Sequence, residues 1–368
     1  MKNVTENRTV TSAEARPLLL TTAVRRKRPV FLWGPPGIGK SELVHDIGEE
    51  LNALVVDMRM ALLDPTDVRG IGFYSPESKT MEWAPPVDLP SAEEAAKYEH
   101  VILFLDEMNS APPAVQAAAY QLILNRRVGQ YHLPDNVSII AAGNRETDKG
   151  VTYRMPAPLA NRFVHFEMRV DFDSWQEWAV THNINSDVIG YLSQHKADLF
   201  DFDPSSASRS FATPRSWTFV SEILAEPGLS DKQVTDVIAG TVGEGIAHKF
   251  IGHRKWSGQL PDSADVLEGK AKELKVKEIS AQYTLMVNLC YELKSRFDSV
   301  GKDDNAKWHG YVDNMLRFVM DNLGTELVIM GMRTAVMTYR LPIVATKCKN
   351  WNEFHNKYGK YIVAAASA

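Results

Sequence analysis

Cysteine is nearly absent. The 368 residues contain two, Cys290 and Cys348. They stand far apart in no paired spacing, which excludes a disulfide framework and a zinc-cluster domain. Thiols that need no partner suit a reducing cytosol. No run of about 18 apolar residues occurs, so no membrane-spanning helix is expected. The opening residues, MKNVTENRTVTSAEARP, lack the apolar centre of a signal peptide. There is no internal repeat. Charge of neither sign dominates: 41 Lys and Arg against 46 Asp and Glu leave a formal net charge of −5. That balance argues against a surface built as a whole for nucleic acid, while a local patch stays open. Apolar residues at 44% and charged residues at 24% are ordinary for a globular protein and exclude whole-chain disorder. The expectation is a soluble cytoplasmic chain of two or three domains.

Residues 1–16 are polar and aperiodic, and read as an N-terminal tail. Leu18 to Val24 reads as the end of a short helix. Arg25-Arg26-Lys27-Arg28 follows it, and reads as a solvated turn before a strand in preference to a phosphate patch. Four short apolar runs come next: Val30–Trp33, Leu54–Val56, Val101–Leu105 and Ser138–Ala142. With helical stretches between them they predict buried parallel strands of an α/β sheet. Beyond Phe166 the pattern turns helical. Ser174 and Glu177 have capping-box spacing, as do Ser230 and Gln233. The segment 256–270, WSGQLPDSADVLEGK, reads as a linker. The divisions are therefore 17–170, 171–255 and 256–368. In the last, Leu285, Leu289 and Leu293 share a helical stripe, and Tyr311, Met315, Phe318 and Val319 share another. Met286, Met315, Met320, Met330, Met332 and Met337 fit either an adaptable partner surface or core packing, with core packing preferred.

Gly34-Pro35-Pro36-Gly37-Ile38-Gly39-Lys40-Ser41 fits the phosphate-loop pattern G-x-x-x-x-G-K-[ST] in full, after a strand and opening a helix. Each residue type has a reason. Glycines let backbone N–H groups wrap phosphates, and the helix N-terminus adds partial positive charge. Lys40 is expected to reach the β- and γ-phosphates, and the Ser41 hydroxyl to hold Mg²⁺. The spacing 37–42 lacks the last glycine of a dinucleotide fingerprint, so that reading is weak.

The run VILFLDE ends a strand in two carboxylates. Alternation along a strand points Asp106 and Glu107 in different directions. Asp106 is assigned to the metal and Glu107 to water activation. SIIAA ends in Gly143-Asn144, and a polar amide at a strand's carboxyl end lies where α/β sheets place ligands, so Asn144 is a candidate for the γ-phosphate or the water. Thr213-Pro214-Arg215 reads as N-cap, N1 and N2. A cation in a first turn opposes the helix dipole, and a nucleotide phosphate near Arg215 would compensate. Arg162, before the next apolar run, is from spacing alone an exposed arginine.

The order GPPGIGKS (34–41), DPTDVRG (64–70), LDEMNSAPPAVQ (105–116), AAGN (141–144), MPAPLANRF (155–163) and ATPRSW (212–217) resembles the AAA+ ATPase superfamily, and specifically its MoxR-type branch, over roughly residues 17–255. The resemblance implies a P-loop AAA+ α/β core at 17–170 and a helical lid at 171–255. The C-terminal helical extension at 256–368 lies outside it. It implies that Arg162 is an arginine finger reaching ATP in a neighbouring subunit, that Arg215 is a second sensor, and that Asn144 is the first. It implies a hexameric ring, a cofactor pair of ATP and Mg²⁺, and a protein client, with a von Willebrand factor A-type partner common in the family. Residues 71–83 would form a helix-two insert near the pore, where Phe73, Tyr74 and Trp83 either grip a client or stack across strands. Ser110 stands where the family often has Arg, and Ala160-Asn161 where Leu-Asp is common. The leading function is thus a ring-shaped remodelling chaperone driven by ATP hydrolysis. The alternative is a nucleic-acid motor or helicase loader on the same core.

Overall fold

The computed structural model describes residues 8–148, 150, 152–206, 208–301 and 305–366. The chain forms two compact units. The first runs to Asp171 and includes a short segment beginning at Asp203; the second holds Phe172–Phe202 and the chain from Ser208 onward.

In the first unit, ten strands are β1 (Arg8–Val10), β2 (Val30–Trp33), β3 (Leu54–Arg59), β4 (Ile71–Ser75), β5 (Thr80–Ala84), β6 (Val101–Asp106), β7 (Arg127–Val128), β8 (Tyr131–His132), β9 (Val137–Gly143) and β10 (Val164–Met168). Six of them make one sheet in the order β1-β10-β2-β9-β6-β3. Every pairing in it is parallel. The fold is the α/β P-loop AAA+ fold expected from the sequence. The four apolar runs are β2, β9, β6 and β3, neighbours in that order with β3 at one edge of the sheet, and β3 extends three residues past the run that marks it. All of Val101–Leu105 is fully buried, as a strand covered on both faces must be. The hairpins β4–β5 and β7–β8 stand apart from the sheet.

β1 at the other edge and its neighbour β10 were not expected. β10 alternates, with Phe166 and Met168 buried and the polar His165 and Glu167 half-buried between them, so it lacks a continuous apolar run. The expected tail is corrected for residues 8–16: Arg8–Val10 pairs with β10 at the sheet edge. The helix Ser12–Leu19 follows, its capping box closed by Thr11 and Glu14. Thr11-x-x-Glu14 ahead of buried Ala15 and Leu19 is the sequence signal that the polarity of the segment masks. Residues 1–7 of the expected tail lie outside the described residues.

The second unit is helical. Its first helix is Phe172–Thr181, three residues earlier than a Ser174 cap requires, so Ser174 lies inside the first turn. The Ser230–Gln233 box does cap the helix Asp231–Val242. The helices Ser186–Gln194 and Ile279–Arg296 pack in close contact at Gly190, where a Cβ would stand 2.0 Å from Thr284 Oγ1. The Leu285, Leu289 and Leu293 stripe is fully buried, as are Met286, Met315, Met320 and Met332. The core reading thus holds for those methionines, while Met337 is exposed. Among the described residues, no helix is long and apolar enough to cross a membrane.

His253 is buried on the helix Glu244–Ser257. Its Nδ1 lies 2.8 Å from Ser280 Oγ and its Nε2 3.3 Å from Thr284 Oγ1. Burial pulls its pKa below the ordinary 6.5; Asp187 and Glu278 oppose the shift and His195 adds to it. The unfolded chain therefore binds this proton more readily than the folded one. The contribution to stability is complete above pH 6.5 and is lost as pH falls through the folded value. His253→Gln should flatten the decline of the thermal midpoint on acidification below that pH, and a decline unchanged from wild type would contradict this.

Candidate nucleotide site

β2 delivers the chain to the phosphate loop, and the helix Lys40–Glu50 carries it away. Gly37 and Gly39 hold φ of +74° and +89°, a region that side chains avoid and glycine enters freely. These two positions let the loop fold back over its own N–H groups. Lys40 Nζ donates to the carbonyls of Gly34 (2.8 Å) and Pro35 (2.9 Å) and to Asn144 Oδ1 (3.3 Å). These contacts hold the ammonium at the mouth of the loop, with the Asn144 amide beside it.

Ser41 Oγ donates to Asp106 Oδ2 at 2.9 Å, and Asp106 Oδ1 accepts the N–H of Glu107 at 2.8 Å. The two residues assigned to Mg²⁺ therefore meet, and they offer only oxygen. A hydroxyl and one carboxylate fit Mg²⁺, which takes few protein oxygens and keeps waters or phosphate oxygens for the rest. The local field agrees. Burial, and then the Asp106 charge, push the Asp57 carboxyl on β3 above its ordinary value, against the opposing pull of His45 and Arg59. A cation near Asp106 would relieve that repulsion.

Glu107 is exposed and lies just past the end of β6 with φ of +53°. A left-handed glutamate is uncommon and marks a backbone held by its surroundings. The two carboxylates part company because the chain turns here, in addition to strand alternation. Asn144 follows β9 directly, half-buried. Its neighbour Arg145 pairs with Asp148 (2.8 Å) and Glu167 (3.0 Å), which fixes the turn that follows.

Phosphate loop, Asp106, Glu107 and Asn144 thus gather at the carboxyl ends of β2, β6 and β9. Arg162 does not join them. It is exposed and precedes β10, whose Val164 is in register with Val30. It therefore lies toward the amino end of the sheet, opposite the loop that follows Trp33. Arg215 belongs to the second unit and is exposed in the first turn of the helix Pro214–Ala225. Thr213 and Ser216 close a capping box there, with Pro214 at the first position as expected.

Three side chains of this region were not singled out from sequence. Asn109 is buried and hydrogen-bonds the main chain of Asn144 at both its N–H and its C=O. Arg145 locks the segment after Asn144 through Asp148 and Glu167. His165 Nδ1 accepts from Trp33 Nε1 at 2.9 Å, so its Nε2 donates to Ala160 O at 2.7 Å. Asn109 sits within the quoted LDEMNSAPPAVQ string, which was the available signal; nothing local marks His165.

Of the basic run, Lys27 is spent on structure. Its Nζ donates to Asn136 O and Ser138 Oγ, at 2.8 and 3.1 Å, and burial lowers its pKa. The turn reading stands. In the β4–β5 hairpin, Tyr74 is 60% and Phe73 45% exposed. Trp83 is half-buried beneath the Arg69 guanidinium, 4.7 Å from the ring centroid. The register pairs Gly72 with Trp83, Phe73 with Glu82 and Tyr74 with Met81, so none of the three aromatics stands directly opposite another.

Residues 29–163 match the sequence profile of the AAA domain (dynein-related subfamily), and the phosphate loop and strands β2, β9, β6 and β3 of the parallel sheet fall within that segment. Over 181 residues, 47% of this chain, the sequence is 28% identical to Midasin of Giardia intestinalis, and the match spans 4% of that protein's length. Among solved structures, the RuvB Holliday junction branch migration motor of Thermotoga maritima aligns with a TM-score of 0.34 and 19% identity, over 70% of this chain and 74% of that one. A structure from Cytophaga hutchinsonii described as a candidate ATPase aligns with a TM-score of 0.32 and 13% identity, over 88% and 79%. Such scores are too low to weigh on the fold, which its own strand order defines.

Proposed function

We propose that the chain is a Mg²⁺-dependent ATPase of MoxR type that works in a cytosolic homo-oligomeric ring, a hexamer in the family's usual form, and remodels a protein client. The observation that carries this reading is the meeting of Ser41 with Asp106 and of Lys40 with Asn144 at one end of the sheet. In this reading the phosphate-loop N–H groups and Lys40 bind and orient the β- and γ-phosphates. Ser41 and Asp106 hold Mg²⁺, which when bound neutralises charge developing on the phosphate oxygens. Glu107 takes the proton of the attacking water, and Asn144 fixes that water or the γ-phosphate. Arg215 contacts ATP from the lid, 171–255. The segment 256–368, beyond the shared ATPase module, encodes the particular task.

Arg162 serves a neighbour's ATP. Its place toward the amino end of the sheet, away from its own phosphate loop, supports a role in trans. The exposed Phe73 and Tyr74 support a client-gripping hairpin, with a von Willebrand factor A-type protein as the expected partner. The alternative of a nucleic-acid motor keeps the exposed Arg25, Arg26 and Arg28 of the basic run, while Lys27 is engaged with Asn136 and Ser138.

The test mixes two inactive variants. Arg162→Ala lacks the finger, and Asp106→Ala lacks the metal ligand. In a mixed ring, an Arg162→Ala subunit with an intact site can receive the finger of an Asp106→Ala neighbour. Partial recovery of ATP turnover on mixing is expected. No recovery in oligomers shown to be mixed would contradict catalysis in trans.

A further inference from the structure

We infer that Asn109 is the residue that positions the sensor amide of Asn144 against the carboxylate loop, and so sets the rate of hydrolysis without contributing to ATP affinity. The inference rests on the ATPase reading above.

The geometry begins in the sheet. β6 and β9 pair in register up to Leu105 and Ala141, and Met108 N still donates to Ala142 O at 2.9 Å. Between those points the chain has turned through the left-handed Glu107, and the main chain can no longer continue the ladder. The Asn109 side chain takes over. A carboxamide presents a donor and an acceptor side by side, as the N–H and C=O of one strand residue do in a ladder. Its Nδ2 donates to Asn144 O at 2.7 Å and its Oδ1 accepts from Asn144 N at 3.2 Å. The orientation of the amide is fixed by this pair: turned over, it would set N–H against N–H and oxygen against oxygen.

The rung is buried and crowded. Asn109 is 1% exposed, its own carbonyl accepts from Tyr153 N at 2.7 Å, and a Cβ at Gly143 would stand 2.1 Å from its Oδ1. The glycine before the sensor is thus required for the amide to reach it. From this clamped main chain, Asn144 Oδ1 reaches Lys40 Nζ. Asn109 lies two residues after Glu107, so one side chain joins the water-activating carboxylate loop to the sensor. Aspartate cannot replace it: its carboxylate would accept from Asn144 N but repel Asn144 O.

The experiment measures ATP affinity, kcat, KM and thermal midpoint for the full chain as wild type, Asn144→Ala, Asn109→Asp and Asn109→Gln. Gln keeps both hydrogen-bonding groups one methylene further out, and serves if the Asp variant does not fold. Misplacement of a reacting constellation by about 1 Å costs roughly 10²-fold in rate. The expected result is a fall in kcat of that order in the Asn109 variants, matching Asn144→Ala, with ATP affinity within about threefold of wild type. Wild-type kcat in a folded Asn109 variant would overturn the inference. So would an equal loss of affinity and rate, or a lowered midpoint with kcat intact. A wild-type chain without ATP turnover would remove the ATPase reading, and this inference with it. Normal wild-type turnover and an impaired Asn144→Ala beside a fully active Asn109→Asp would remove this inference alone.

Discussion

Glu107→Gln is expected to bind ATP as tightly as wild type and to hydrolyse it at least about 10²-fold more slowly, the usual scale of a lost general base. The substitution keeps the shape of the side chain and removes its basicity. The left-handed backbone at this position costs glutamine no more than glutamate. The rest of the site is untouched, because Asp106 holds Ser41 through its own carboxylate and Lys40 is held by loop carbonyls and Asn144. Binding of a fluorescent ATP analogue together with phosphate release checks both halves. Normal turnover would remove Glu107 from the mechanism. Loss of binding would mean that the carboxylate serves the nucleotide or the metal.

Lys40→Ala has the opposite signature: ATP binding itself should fail. Hydrogen bonds from a charged donor contribute about 1.5–3 kcal/mol each. Two of them to the phosphates amount to roughly 10²–10⁴ in affinity. The fold should survive. The helix Lys40–Glu50 keeps its buried Leu43, Val44, Ile47 and Gly48, and alanine is the best helix former. Titration with labelled ATP, beside a thermal melt to confirm folding, is the measurement. Wild-type affinity in the folded variant would dismiss the phosphate-loop assignment.

What the sequence made legible follows from how much each residue depends on its neighbours in the chain. The phosphate loop is a local object, and its string alone placed Gly37, Gly39, Lys40 and Ser41. β2, β6 and β9 were legible because burial on both faces leaves a continuous apolar run, and β3 at the sheet edge because its first three residues are apolar as well. β1 and β10 alternate or are too short to leave that trace, and the structured segment 8–16 hid behind its polar composition. The meeting of Ser41 with Asp106 crosses 65 positions of sequence and was reached only by pairing two motifs. Asn109 and His165 act on main chain and side chains far away in sequence, at Asn144, Trp33 and Ala160, so no spacing rule could assign them. The turn at Glu107 is a backbone property that no side-chain pattern reports. Arg162 carries no local signal of catalysis. Only the resemblance gave it a role, and the sheet register sets it apart from its own chain's loop.

The central claim is that one nucleotide site, built from Gly34–Ser41, Asp106 and Asn144, lies in each chain. Calorimetric titration of the wild-type protein with ATP and Mg²⁺ tests it most directly. One ATP bound per chain is predicted, with affinity lowered when Asp106→Ala removes the carboxylate that meets Ser41. No saturable binding, or binding indifferent to that substitution and to Mg²⁺, would contradict it.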